Sequence, residues 1–408
     1  GQIADEGFDQ LQFNLVADGD KIRLDQAFAK KYKSRLNLSG YIDTTQKDPQ
    51  CVLQMNAKPL HIDELDHVIR LAPHLTGQAW IEGKVTGPIE FPEVSFNFSA
   101  KQVSFENIEY PGSQGFVSID RKNFRFNGQL LGRQVQSDLV WPWNENDPYS
   151  LRLQVRDLNP LMLLPLISIP QPTTEFYSRI NADVDLKSNH RSLKNSEGSV
   201  RISDFMLQRG AFYLKLYRPS TLVFKNGLTQ MDPIDLKGET NSVQVNLVSS
   251  NGRGETKMSF AGDIQLRLFQ FLVPFAQSVS GRLQIDSQVL FRENDFELLG
   301  DGEITDGVVG LKSFPQPIEN INTPIEFSKS KILLNDLTAQ LGPHEISGQG
   351  QIDIKGPKNI AVNVQASAEQ IEITFPEKIT TAGKADLVFF GNWLPYTLKV
   401  NYKVARGL

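Results

Sequence analysis

The chain has 408 residues, 40% of them hydrophobic and 22% charged, with a formal net charge of −5. It is too apolar for a disordered chain, and it lacks the basic excess of a nucleic-acid binder, so no nucleic-acid partner is expected. It has no apolar run long enough to span a bilayer as a helix and no signal peptide at its start, and a lone cysteine, Cys51, excludes an intramolecular disulfide framework.

Alternation of apolar and polar residues dominates the chain. Such a pattern reads as strands with one apolar and one wet face, whereas a parallel sheet buried on both faces would show continuous apolar runs. The first departure is 62–71, where Ile62, Leu65 and Ile69 fall at helical spacing. Residues 94–99 then form a strand with Phe96 and Phe98 on one face, and Phe124 and Phe126 alternate in the same way. Strand 151–156 carries Leu151, Leu153 and Val155. Segment 158–169 is apolar all round and is interrupted by Pro160 and Pro165. Strand 180–186 carries Ile180, Ala182, Val184 and Leu186, and strand 243–247 carries Val243, Val245 and Leu247. Residues 264–268 alternate like a strand, and 268–277 is a second apolar segment, containing Pro274. Leu283 and Ile285, Ile352 and Ile354, Val362 and Val364, and Ile371 and Ile373 follow, with a last strand over 398–402. Asn127-Gly128, Asn226-Gly227, Asn251-Gly252, Asp301-Gly302 and Asp306-Gly307 read as turns between antiparallel neighbours. At roughly twelve residues per strand and turn, about 34 strands are expected. The expected fold is all-β: an elongated, curved, repetitive sheet with a hydrophobic concave groove and a few short helices.

A repeat underlies this pattern. Small residues open similar strands at Gly77, Ser178, Gly281 and Gly383, each after a proline-containing segment such as Ala72-Pro73, Leu164-Pro165, Val273-Pro274 or Phe375-Pro376. The spacings are 178 − 77 = 101, 281 − 178 = 103 and 383 − 281 = 102. The units are 1–76, 77–177, 178–280, 281–382 and a partial 383–408, read as one continuous body in which each unit buries its face against its neighbours.

The stretch 302–322 contains Asp306-Gly307-Val308 and the run Phe314-Pro-Gln-Pro-Ile-Glu-Asn-Ile-Asn322. It continues through Ile332-Leu-Leu-Asn-Asp-Leu-Thr-Ala-Gln-Leu-Gly342 and Ile346-Ser-Gly-Gln-Gly350. This resembles a signature of the AsmA-like/TamB superfamily, densely over 281–356 and in repeat architecture over 60–280. The resemblance implies a taco-like β-sheet whose apolar groove conducts phospholipids across the periplasm of Gram-negative bacteria, toward the outer membrane. It implies attachment to the inner membrane through an N-terminal anchor and, in the TamB branch, an outer-membrane barrel protein as partner. Neither the anchor nor a recognisable partner-binding end is visible here, as in a fragment. The alternating residues named above, from Phe96 to Ile373, are the candidate groove lining.

Other chemistry is weakly signalled. His61 and His67 lie six apart, on different faces of the expected helix, and read as solvated. Gly77…Gly83-Lys84-Val85 lacks the spacing and hydroxyl of a phosphate loop. Asp183 and Asp185 share the wet face of a strand, and Cys51 reads as a small buried hydrophobe. No catalytic residue, cofactor or metal is expected. One rival reading is a rigid scaffold rod that pairs its end strands with a partner. Another is a polysaccharide-acting solenoid, for which Trp80, Trp141, Trp143 and Trp393 are too few and too scattered.

Overall fold

The computed structural model describes residues 2–3, 6–167, 169, 172, 175–190, 196–225, 227–249, 255–273, 276–292, 295–312, 316–356, 359–374, 380–392 and 396–407. Asn226, Asn251-Gly252, Pro274, Phe314-Pro315, Phe375-Pro376, Trp393 and the side chain of Ile373 lie outside the described residues. Strands account for 76% of the structure, as an all-β chain requires. Antiparallel sheet takes in 27 strands, most of them paired with their neighbours in sequence. The described strands number 29 rather than about 34, because several are long: Ala276–Arg292 and Asp295–Leu311 have 17 residues each.

Two compact units are present: Gly1–Leu158 with Asn181–Val200 and Phe224–Gly227, and Asn159–Ile180 with Arg201–Val223 and Leu228–Leu408. The first is an up-and-down meander from Gln10–Asp18 through Lys21–Lys31, Ser34–Asp43, Gln50–His61, Leu75–Pro88 and Glu93–Phe105. It continues through Ser113–Ile119, Asn123–Leu130, Val135–Pro142 and Tyr149–Leu158. In the second, the meander runs from Ser242–Ser249 through ten strands to Thr397–Gly407.

Three of the expected turns are not turns. Asn127-Gly128 sits inside Asn123–Leu130, and both Asp301-Gly302 and Asp306-Gly307 lie inside Asp295–Leu311. Asp306 does take the left-handed conformation (φ 50°), but at a bulge where the pairing passes from Ile304↔Thr323 to Gly307↔Ile321. A left-handed residue that adds one residue to one strand kinks the ladder without reversing the chain.

The helical segments also differ in detail. Residues 62–71 divide into a 3₁₀ turn, Ile62–Glu64, and a short α-helix, Asp66–Leu71, and His61 ends the preceding strand instead of joining the helix. Residues 264–268 are not one strand. Thr256–Gln265 ends there, and Leu266–Leu272 is 3₁₀. Ala276 and Gln277 already belong to the next strand. The other apolar segment is 3₁₀ over Pro160–Ile167. In the second unit both segments sit at one edge: Phe176, which opens Phe176–Ser188, meets Phe271 edge to face at 5.5 Å. Leu161 and Leu268 are buried there. Arg209 ties the edge together, binding Glu175, Gln270 and the carbonyl of Arg267.

The first unit uses charge at the corresponding place. Lys31, buried at the end of its strand, meets Glu6 at 2.7 Å and Asp66 at 2.6 Å. Glu64 accepts from Ser34 Oγ at 2.6 Å, and Glu6 accepts from the Asp66 N–H at 2.8 Å. Burial pushes the Glu6 and Glu64 carboxyls up, but these hydrogen bonds outweigh it and hold both below their ordinary values. Bonds from Lys31 and from the Gly7 N–H hold Asp66 down as well. Burial pushes Lys31 down, and its two carboxylate partners raise it by more. Depressed carboxyls stabilise the fold above their unfolded pKa, and that contribution is lost as pH falls through their folded values. Asp66–Leu71 is therefore expected to detach as pH drops below the ordinary carboxylate range, before the strands open. Hydrogen exchange across an acid titration reads this, and amides 66–71 that stay as protected as the strand amides would refute it.

Candidate functional site

In an antiparallel ladder, residues directly opposite one another point to the same side, so the register decides which side chains share a face. In the first unit one lateral row runs Phe13, Ala27, Leu38, Met55, Gly83, Phe96, Val117, Phe126, Leu139, Leu151, one residue per strand. The second unit has a row of the same length: Val243, Gly262, Ile285, Gly302, Ile325, Leu334, Gly350, Val364, Phe389, Leu398. Neither row contains a charged or polar side chain. Ten strands about 4.8 Å apart make each row roughly 43 Å long before twist.

The sequence candidates fall on these faces. Phe96, Phe98, Phe124, Phe126, Leu151, Leu153 and Val155 share the apolar face of the first unit. Ala182, Val184 and Leu186 join it, because their strand neighbours Asp183 and Asp185 bind Arg156 and Arg152 on the opposite, polar face. Val243, Val245, Leu247, Leu283, Ile285, Ile352, Ile354, Val362, Val364 and Ile371 share the apolar face of the second unit, where the backbone register also puts Ile373. Ile180, on Phe176–Ser188, is half-buried. Ala182, Val362 and Ile371 are buried, and the other described candidates are half-buried. Reading the sequence missed Leu38, Met55, Ile81, Val117 and Leu139 in the first unit and Phe260, Ile325, Leu334 and Phe389 in the second. Leu36-Asn-Leu38 and Leu53-Gln-Met55 carried the signal, but interspersed glycines break the alternation elsewhere.

Those glycines make room. Phe98 faces Gly115, which faces Gly128, and the rings of Phe98 and Phe126 stack with centroids 6.1 Å apart. A Cβ on Gly128 would lie 2.8 Å from Phe126 Cζ and 2.7 Å from the Gln114 carbonyl oxygen. A Cβ on Gly115 would lie 2.8 Å from the Asn127 carbonyl oxygen.

These faces are not covered as a globular core is. The chain exposes 23974 Å². Even two separate compact bodies of half its mass would together expose only about 19,000 Å². Burial is graded, with fully buried apolar residues such as Ala368, Ile371 and Ala385 near one strand end. Large apolar residues stay open on the edge strands, with Phe13 60% and Val404 58% exposed. Charge on the apolar face comes at strand ends, at the ion-paired Lys31 and at Lys329, opposite Leu298.

Cys51 is buried on the apolar face, opposite Ile42. His67 Nδ1 lies 3.4 Å from Glu6 Oε2. Among the described residues, no group of three or more His, Cys, Asp or Glu side chains could hold a metal ion, and no helix is long and apolar enough to cross a membrane. No family model, curated protein or solved structure matches the chain.

Gly115→Val is expected to lower stability by about 1–3 kcal/mol, since the new side chain must displace backbone and an aromatic ring. Urea denaturation measures this, and an unchanged midpoint would show that the sheet yields there freely.

Proposed function

We propose that the apolar faces carry lipid acyl chains, and that the chain acts as a bridge-like conduit for phospholipid. The observation behind this reading is the unbroken ten-strand apolar row in each unit, flanked by a charged polar face and without globular-core cover. Each methylene moved from water onto such a face gains about 0.8 kcal/mol. Summed along a tail, that holds a lipid firmly. Neighbouring rungs offer nearly the same surface, and no directional bond fixes the tail, so it can slide. Holding and sliding need no catalytic group, cofactor or metal. The resemblance of 281–356 to the AsmA-like/TamB superfamily supports the same reading. By analogy with that family, the setting is the periplasm between an anchored inner-membrane end and the outer membrane.

The test is lipid content and transfer. The purified chain is expected to carry phospholipid through native mass spectrometry and to move labelled phospholipid between vesicles. Val245→Asp and Ile285→Asp should reduce both at least tenfold while leaving the thermal midpoint near wild type, since each puts an uncompensated charge in the path. A folded chain that carries no lipid would refute the conduit and favour the scaffold reading, in which the rod spaces the components of an outer-membrane barrel assembly. Normal transfer by both folded variants would place the path elsewhere.

A further inference from the structure

We propose that the polar face of the first unit holds a binding site for an uncharged oligosaccharide chain. A cavity of about 820 Å³ opens on that face and extends across strands from Lys21–Lys31 to Ser113–Ile119. One row across it reads Asn37, Asn56, Glu82, Asn97, Phe116. The next row, two residues along, reads Ser39, Gln54, Lys84, Ser95. The side chains of Gln54, Asn56 and Asn97 make no hydrogen bond to another described residue.

Four features select the ligand class. Amides both donate and accept, which suits sugar hydroxyls that do the same. The charges lining the cavity cancel, Asp25 and Glu82 against Arg35 and Lys84, which disfavours phosphate or a polyanion. Aromatic carbon is available at one side for the C–H face of a sugar ring, since Phe116 is 42% exposed. Away from the cavity the same face is built differently, from ion pairs such as Arg152–Asp185, Arg156–Asp183 and Arg125–Asp120. A peptide strand would pair with a sheet edge and would not lie across a face. The second unit repeats the chemistry on a smaller scale: Gln351 and Asn363 line a cavity of about 300 Å³, and Asn363 stands opposite Phe390, which is 42% exposed.

This site stands apart from the apolar faces and does not depend on lipid binding. The test is calorimetric titration of the full chain with maltohexaose, cellohexaose, mannohexaose and hexa-N-acetylchitohexaose. At least one is expected to bind, with affinity falling tenfold or more in Phe116→Ala and in the double variant Asn56→Ala/Asn97→Ala. Phe116→Tyr should keep binding, and so should Val245→Asp, which lies on the apolar face of the second unit. Thermal midpoints establish that the variants are folded, and if Phe116→Ala is not, the double variant alone decides. No binding by any of the four at millimolar concentration overturns the proposal, as does binding that survives the cavity variants. Loss of co-purifying phospholipid from folded cavity variants would assign the cavity to the lipid path and overturn it equally.

Discussion

Lateral backbone pairing governs everything else in this molecule. Because opposed residues in an antiparallel ladder point the same way, the ladder carries one strand's alternation to the next. A slip of one residue would turn every subsequent apolar side chain to the other side. The bulges respect this constraint. Between Ala368 and Ile371 one strand advances three residues while its partner advances two, from Ala385 to Gly383, and the apolar side chains stay on one face. The same three-against-two step occurs from Leu334 to Leu337 and from Ile304 to Gly307. The residue that absorbs each step has positive φ: Gln370, Asp336 and Asp306. Two of the three are aspartate, whose short polar side chain tolerates that conformation better than most.

Given a constant face, the side chains on it need not form a closed core. In places a large side chain stands beside a glycine, as in Ile285, Gly302, Ile325 or Phe98, Gly115. Rings and branched chains lean into the space above the glycines, so the face is half-buried by its own members. Such a surface is apolar from rung to rung, and the proposed acyl-chain conduit rests on that property. In the second unit the helical segments bury Leu161 and Leu268, and in the first the Lys31 ion cluster stands at the end of a strand.

The polar face is less uniform than a merely solvated surface. Where arginine and aspartate pair across strands, it is self-satisfied and gains little from a ligand. Where amides replace them, as over Gln54, Asn56 and Asn97, hydrogen-bonding capacity is left for water or a partner. The described cavities named above belong to such stretches.

Much of this was legible in the chain itself. Period-2 alternation is a local property, so it identified the all-β class and the one-sided distribution of apolar residues. It also put Phe96 and Leu153, and Val245 and Ile285, on shared apolar faces and Asp183 and Asp185 on the polar one, as the pairing does. The helical exceptions near 62–71 and 160–167 were visible for the same reason. Pairing joins residues distant in sequence, and only the tertiary structure decided it. Asn127-Gly128 and Asp301-Gly302 look like turns locally, yet their glycines sit inside strands where a Cβ would meet the neighbouring strand's backbone, 2.7 Å from the Gln114 carbonyl oxygen at Gly128 and 2.7 Å from the Gln284 carbonyl oxygen at Gly302. Val117 and Leu334 could be assigned to the apolar rows only once each had a partner across the ladder. The cavity on the polar face had no sequence signature, since its wall is assembled from single residues on successive strands that only the register brings side by side.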